Sequence, residues 1–150
     1  MDTIWLGGAE WLAVLRIGLG LWWLESWRHK DRKGWFERGT GIAWAADVAH
    51  KHRWSVVRSG FDTVVAPRPR TMAYVVVYAE LALSLGLVAG LLTPVALIAG
   101  LLLNLLYFTL MIHDWAEQGQ NAMMALISVV ALFGMAWQTW SLDDALGLFR

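Results

Sequence analysis

Four stretches of mostly apolar residues, each near 20 long, dominate this chain: approximately Leu6 to Trp27, Thr71 to Leu92, Pro94 to His113 and Gly119 to Trp140. A bilayer core roughly 30 Å thick takes about 20 residues of helix at 1.5 Å per residue, so each stretch has the length of a membrane span. Lipid offers backbone groups no hydrogen-bond partner, which leaves only helices and closed barrels as spanning structures. The expected fold is therefore all-α, an integral membrane four-helix bundle forming a single domain over residues 1–150. Composition agrees: 58% of the residues are hydrophobic and 16% charged, well away from the averages of a water-soluble domain.

The connections order the bundle. In "GLLTPVA" Thr93 is the expected N-cap and Pro94 the first helical residue, where a missing N–H costs nothing, so spans two and three form a tight antiparallel hairpin. "DWAEQ", Asp114 to Gln118, reads as a short polar turn between spans three and four. The link between spans one and two is a long loop, residues 28–70. It holds Arg28, Lys30, Arg32, Lys33, Arg38, Lys51, Arg53, Arg58, Arg68 and Arg70, which are ten of the chain's 12 Lys and Arg. The positive-inside tendency places this loop in the cytoplasm and both termini outside. Within it, Trp54, Val57, Phe61, Val64 and Val65 recur at helical spacing and predict an amphipathic helix on the membrane surface. "GIAWAADVAHK" has similar character, and "APRPR" breaks the helix before the second span.

The 12 acidic and 12 basic residues cancel, so bulk charge points to no nucleic-acid partner. Cysteine is absent, which excludes disulfides, thiol catalysis and thiolate-held metal or iron–sulfur sites. His29, His50 and His52 fall in the loop and His113 ends a span, a distribution that predicts neither haem nor a metal site. Asp2, with no early Lys or Arg, gives the N-terminal stretch no basic region of a secretory signal, so it reads as a retained helix.

The informative residues are the ionisable ones inside the spans. A charge at mid-bilayer costs about 2.5–3.5 kcal/mol even on lenient scales, so Arg16 and Glu80 are expected to meet. Counted from the loop side, their depths differ by about 3 Å. Small residues (Ala82, Gly86 and Gly90 on the second span, Gly18 and Gly20 on the first) allow close helix approach, and Ser84 lies one turn from Glu80. Such a pair either pins two helices together or works: Glu80 as proton acceptor, Arg16 as anchor for an anionic or carbonyl-bearing ligand. Asn104 and Tyr107, spaced i, i+3, either bond between helices or supply ligand contacts. Of the 11 tryptophans, Trp5, Trp22, Trp23, Trp27, Trp115, Trp137 and Trp140 fall where spans meet the interface, as an aromatic belt does. Trp22, Trp23, Trp27, Trp35 and Trp44 are also placed to wall a flat ring such as a quinone.

"LRIGLGLWW" in the first span, the long basic and Trp-bearing loop, and "YAELALSLGLVAGLLTPVALIAG" together resemble the DoxX family of small four-helix membrane proteins, including its thiosulfate:quinone oxidoreductase large-subunit (DoxD-like) type. The matching positions are Arg16, Gly18, Gly20, Glu80, Gly86, Gly90 and Pro94, and the likeness extends over nearly the whole chain. The family often has a Lys soon after the first span, and here "LESWRHKDRK" offers Arg28 and Lys30 in a shifted setting. The resemblance implies a subunit of a quinone-linked redox system in a prokaryotic cytoplasmic membrane. Its chemistry would be oxidation of thiosulfate or a related sulfur compound with quinone as acceptor, beside a second small subunit. Glu80 and Arg16 would then be catalytic, and Trp22, Trp23, Trp27, Asn104 and Tyr107 would bind the quinone. The alternative is a non-catalytic accessory subunit packed against a larger respiratory or photosynthetic complex.

Overall fold

A computed structural model describes residues 6–149; Asp2 and Trp5 lie outside them. All regular structure among the described residues is helical, with no strand. Four long helices, α1 (Gly8–His29), α4 (Pro69–Ala89), α5 (Thr93–Leu110) and α6 (Trp115–Phe133), pack in a ring in which α1 touches α4 and α6, and α5 touches α4 and α6. Leu19, Trp23, Leu83, Leu87, Leu97, Met124 and Ala131 fill its centre. Gly20 brings α1 close to α4, since a Cβ there would lie 2.9 Å from the Val88 backbone nitrogen.

Two helices, α4 and α5, are long and apolar enough to cross a membrane, each with a mean hydropathy of 1.9 over its best stretch. Of the four helices expected to be spans, α1 and α6 do not meet that measure. The physical reason is polar content: α1 carries Glu10, Arg16, Glu25 and Arg28, and α6 opens on Glu117, Gln118, Gln120 and Asn121.

Several boundaries also move. Asp114 to Gln118 is the start of α6 and not a turn, for the Asp114 carboxylate accepts the Ala116 and Glu117 N–H groups at 3.1 Å. α6 then stops at Phe133, short of Trp140, and a run of turns leads to α7 (Leu142–Ala145). α5 has Leu92, not Thr93, at its cap position, in a left-handed conformation at φ 52°. Its first amides are satisfied from far along the chain: the buried Asp143 carboxylate accepts the N–H groups of Leu92 and Thr93, both at 2.7 Å. A carboxylate at a helix N-terminus also meets the positive end of the helix dipole.

The long loop is folded. A π-helical turn (Gly34–Arg38), α2 (Thr40–His50), α3 (Ser55–Gly60) and a second π-helical turn (Phe61–Val65) lie across the loop end of the bundle. Ile42, Ala49 and Phe61 from these elements and Ala73 from α4 build a second core. The amphipathic helix expected after Trp54 is α3 with its π-helical extension, and Phe61 is its buried anchor, while Trp54 and Val64 are exposed. His52 ties this cap down: one ring nitrogen accepts the Trp54 N–H at 3.0 Å and the other donates to the Thr109 carbonyl of α5 at 3.0 Å.

Candidate functional site

At the loop end of the bundle, α1, α4, α5 and α6 surround a hollow of about 200 Å³, with the folded loop as its roof. Glu80 lies in its wall and is 1% exposed. The carboxylate is met by three donors: the Lys30 ammonium, the Ser26 hydroxyl at 3.2 Å and the Tyr107 phenol at 3.3 Å. Lys30 also donates to Ser26 at 3.2 Å and lies 5.2 Å from the centroid of the Trp35 ring, within cation–π range. A salt-bridged acid inside a bundle is stable only with its lone pairs occupied, and here each oxygen has a partner.

The sequence dictates this placement simply. Lys30 is the first residue after α1 and lies one turn beyond Ser26, so both reach the same side of the helix end. A lysine there can lay its methylene stem along apolar surface and turn its head to a polar target. Trp35 lies flat against α2 because position 41 is glycine: a Cβ on Gly41 would lie 2.2 Å from the indole. Trp22, Trp23, Trp35 and Trp44 all line the hollow, and α6 adds Glu117, Gln120 and Asn121 to its polar side.

Of the residues singled out in the sequence, Glu80, Tyr107, Trp22 and Trp23 come together here, and so do Trp35 and Trp44 of the wider tryptophan set. Three do not. Arg16 is the largest departure, because the expected Arg16–Glu80 pair does not form. Its buried guanidinium donates instead to the carbonyls of Ala136 at 3.0 Å and Trp140 at 2.6 Å. It therefore sits beside Gly90, at the other end of the bundle; ten residues of helix, about 15 Å, separate Gly90 from Glu80 along α4. Trp27 does not line the hollow; it is half-buried, with its indole N–H unpartnered, under the Arg32 guanidinium 3.9 Å from its ring centroid. Asn104 is buried one turn deeper than Tyr107, and neither its amide oxygen nor its nitrogen has a partner.

Sequence reasoning missed Ser26, Glu117, Gln120 and Asn121, and it noted Lys30 as a basic-loop residue and, with Arg28, against the Lys of the resembled family, without pairing it with Glu80. The available signal was spacing: Ser26 and Lys30 are i, i+4, as are Glu117 and Asn121, and the Asn121 amide donates to the Glu117 carbonyl at 2.7 Å. Outside the bundle, Asp31 in the loop is held below the usual carboxylate range by the Gly34 backbone amide, with Arg38 at 2.8 Å adding to the effect.

The arrangement offers a flat, indole-walled space with an ammonium, a phenol, a hydroxyl and a carboxylate at one edge. Such a site suits a small planar ligand bearing carbonyl oxygens and exchanging protons. Comparison with known proteins gives no relative: no family model, no curated protein sequence and no solved structure matches the chain.

Proposed function

We propose that this chain is a small integral membrane protein, with α1, α4, α5 and α6 as its spans, that holds a quinone head group in the tryptophan-walled hollow and serves as a subunit of a quinone-linked redox system. The observation that carries this reading is the buried Glu80 carboxylate with its Lys30, Ser26 and Tyr107 donors at the edge of that hollow. Reduction of a quinone to a quinol consumes two electrons and two protons. Lys30 and Tyr107 are placed to donate hydrogen bonds to a quinone carbonyl, and Glu80 to pass protons to the oxygen that gains charge. The electrons come from a partner subunit, since this chain has no thiol and no side chain suited to storing them.

Membrane embedding accounts for the outer surface as well. Tyr78, Leu85, Val95, Leu102, Leu106, Leu126 and Phe133 are all more than half exposed, a surface that water would drive to associate and lipid would solvate. The basic loop favours a cytoplasmic position for the site, with both termini outside. The motif resemblance to the DoxX family supports a prokaryotic cytoplasmic membrane and thiosulfate, or a related sulfur compound, as the donor.

A second reading, as a non-catalytic accessory subunit of a larger respiratory or photosynthetic complex, is favoured by one feature. An open groove of about 910 Å³ runs between α4 and α5, lined by Ala79, Ala82, Gly86, Ala96 and Ala99 among larger apolar residues. Small residues of this kind are what membrane helices place where another helix packs.

The test is a titration of the protein in nanodiscs with a short-chain quinone, followed by tryptophan fluorescence. Saturable quenching that weakens in Glu80→Gln is expected, together with quinone reduction driven by thiosulfate once the partner subunit is present. Quenching that rises linearly and is indifferent to Glu80→Gln would overturn the quinone site. Stoichiometric co-purification with a large complex whose turnover survives loss of this chain would establish the accessory reading instead.

A further inference from the structure

We propose that the basic hollow on the outer side of α4, distinct from the Glu80 site, binds an anionic phospholipid, with the phosphodiester between Arg32, Lys33 and Arg70 and an acyl chain along Tyr74 and Tyr78. The proposal rests on the membrane reading above but not on the quinone. The hollow, of about 580 Å³, is lined by Arg32, Lys33, Phe36, Glu37, Arg70 and Tyr74.

Three observations carry it. First, the neighbouring cations are paired, Arg28 with Glu25, Lys30 with Glu80 and Arg38 with Asp31, whereas Arg32, Lys33 and Arg70 have no ion-pair partner among the described residues. Three cations converge on one hollow with only Glu37 to oppose them, an arrangement that calls for an anion. Second, Arg70, Tyr74 and Tyr78 follow one another at i, i+4, i+8 on a single face of α4, so the guanidinium sits at the helix start and the rings lie progressively deeper. Third, those rings form a flat wall: Phe36 stacks on Tyr74 at 4.3 Å, and Tyr74 and Tyr78 lie parallel with centroids 6.2 Å apart. Tyr74 and Tyr78 remain 45% and 57% exposed. A charged mouth above an apolar aromatic wall matches a molecule with an anionic head and a hydrocarbon tail. Glu37 is an acceptor suited to a headgroup hydroxyl, which favours phosphatidylglycerol over a bare phosphate.

The experiment uses the full chain in a neutral detergent and follows its thermal unfolding against added phosphatidylglycerol, phosphatidylcholine or inorganic phosphate. Stabilisation by phosphatidylglycerol alone is expected. Each basic residue contributes about fivefold to binding an anionic lipid, so R32Q/R70Q should raise the half-saturating lipid concentration roughly 25-fold. The charge-matched control K51Q/R53Q, whose side chains do not line that hollow, should leave it unchanged. Equal losses in the two double variants would show diffuse electrostatics and overturn the site. So would stabilisation by inorganic phosphate equal to that by the lipid. Release of the chain from vesicles by alkaline carbonate would overturn the membrane reading itself, whereas retention without lipid preference overturns this inference only.

Discussion

Replacing Lys30 by Met removes the only cation among the described residues that meets Glu80 and keeps a chain of similar length. The carboxylate, 1% exposed, is then left with the Ser26 hydroxyl at 3.2 Å and the Tyr107 phenol at 3.3 Å. Removing one partner of a buried pair costs about 3–5 kcal/mol. Because the Lys30 side chain keeps 13% of its exposure and two neutral donors remain, the lower end of that range applies, about 3 kcal/mol. For a chain of this size that corresponds to a fall in Tm of about 6–12 °C. The double variant Lys30→Met/Glu80→Gln removes both charges while preserving shape, and it should recover all but about 1 kcal/mol, giving a coupling energy of about 2 kcal/mol plus whatever Glu80→Gln costs alone. Thermal or SDS-driven unfolding followed by tryptophan fluorescence reads all four corners of the cycle. If Lys30→Met lies within 1 kcal/mol of the wild type, or if the two single losses simply add, then the pair does not hold the site and the argument built on it fails.

Three further perturbations probe the rest of the molecule. Arg16→Leu leaves the Ala136 and Trp140 carbonyls without their donor and should cost about 2–4 kcal/mol in the same unfolding assay, while leaving quinone quenching in the folded fraction unchanged; loss of quenching would return Arg16 to the ligand site. Gly90→Ala should destabilise by at least about 2 kcal/mol, because φ is +67° and a Cβ would lie 2.4 Å from that of Ser141 and 2.6 Å from the Arg16 guanidinium; a neutral outcome would mean that the turn refolds around it. Asp31, whose folded pKa is depressed by the Gly34 amide and Arg38, contributes stability that is present above its unfolded value, about 3.9, and is lost as pH falls through the folded value. The stability of Asp31→Asn should accordingly fall less than that of the wild type on acidification from pH 5 to pH 3.

How much of this was legible in the sequence follows from the range of the interactions concerned. Hydropathy and helical spacing report local structure, and they located the four long helices and the helical character of the loop. Glu80 stood out for the same reason, as an acid in an apolar run. Its partner did not, because depth counting took α1 to end at Trp27, whereas the helix runs to His29 and Lys30 reaches back from just beyond it. The reading of Arg16 failed at a turn. The apolar run to Trp140 looked like continuous helix, yet the chain leaves α6 at Phe133, and the carbonyls that bind Arg16 belong to the turns that follow. The cap on α5 was equally hidden, since Asp143 lies some 50 positions from the amides it accepts. Local patterns carry no information on such pairings.

That same separation bears on how the chain is made. The Arg16 guanidinium finds its acceptors about 120 residues later in the sequence, so during synthesis α1 emerges with its charge unanswered until the last long helix and its trailing turns exist. Were α1 to cross a membrane, an unanswered arginine in it would disfavour insertion, by up to about 2.5–3.5 kcal/mol at mid-bilayer. Until those acceptors exist α1 has a guanidinium still to satisfy, and the turns after α6 supply what it needs. The carbonyls of Ala136 and Trp140 act in this sense as a completion check, met only once the turns that follow α6 have been made.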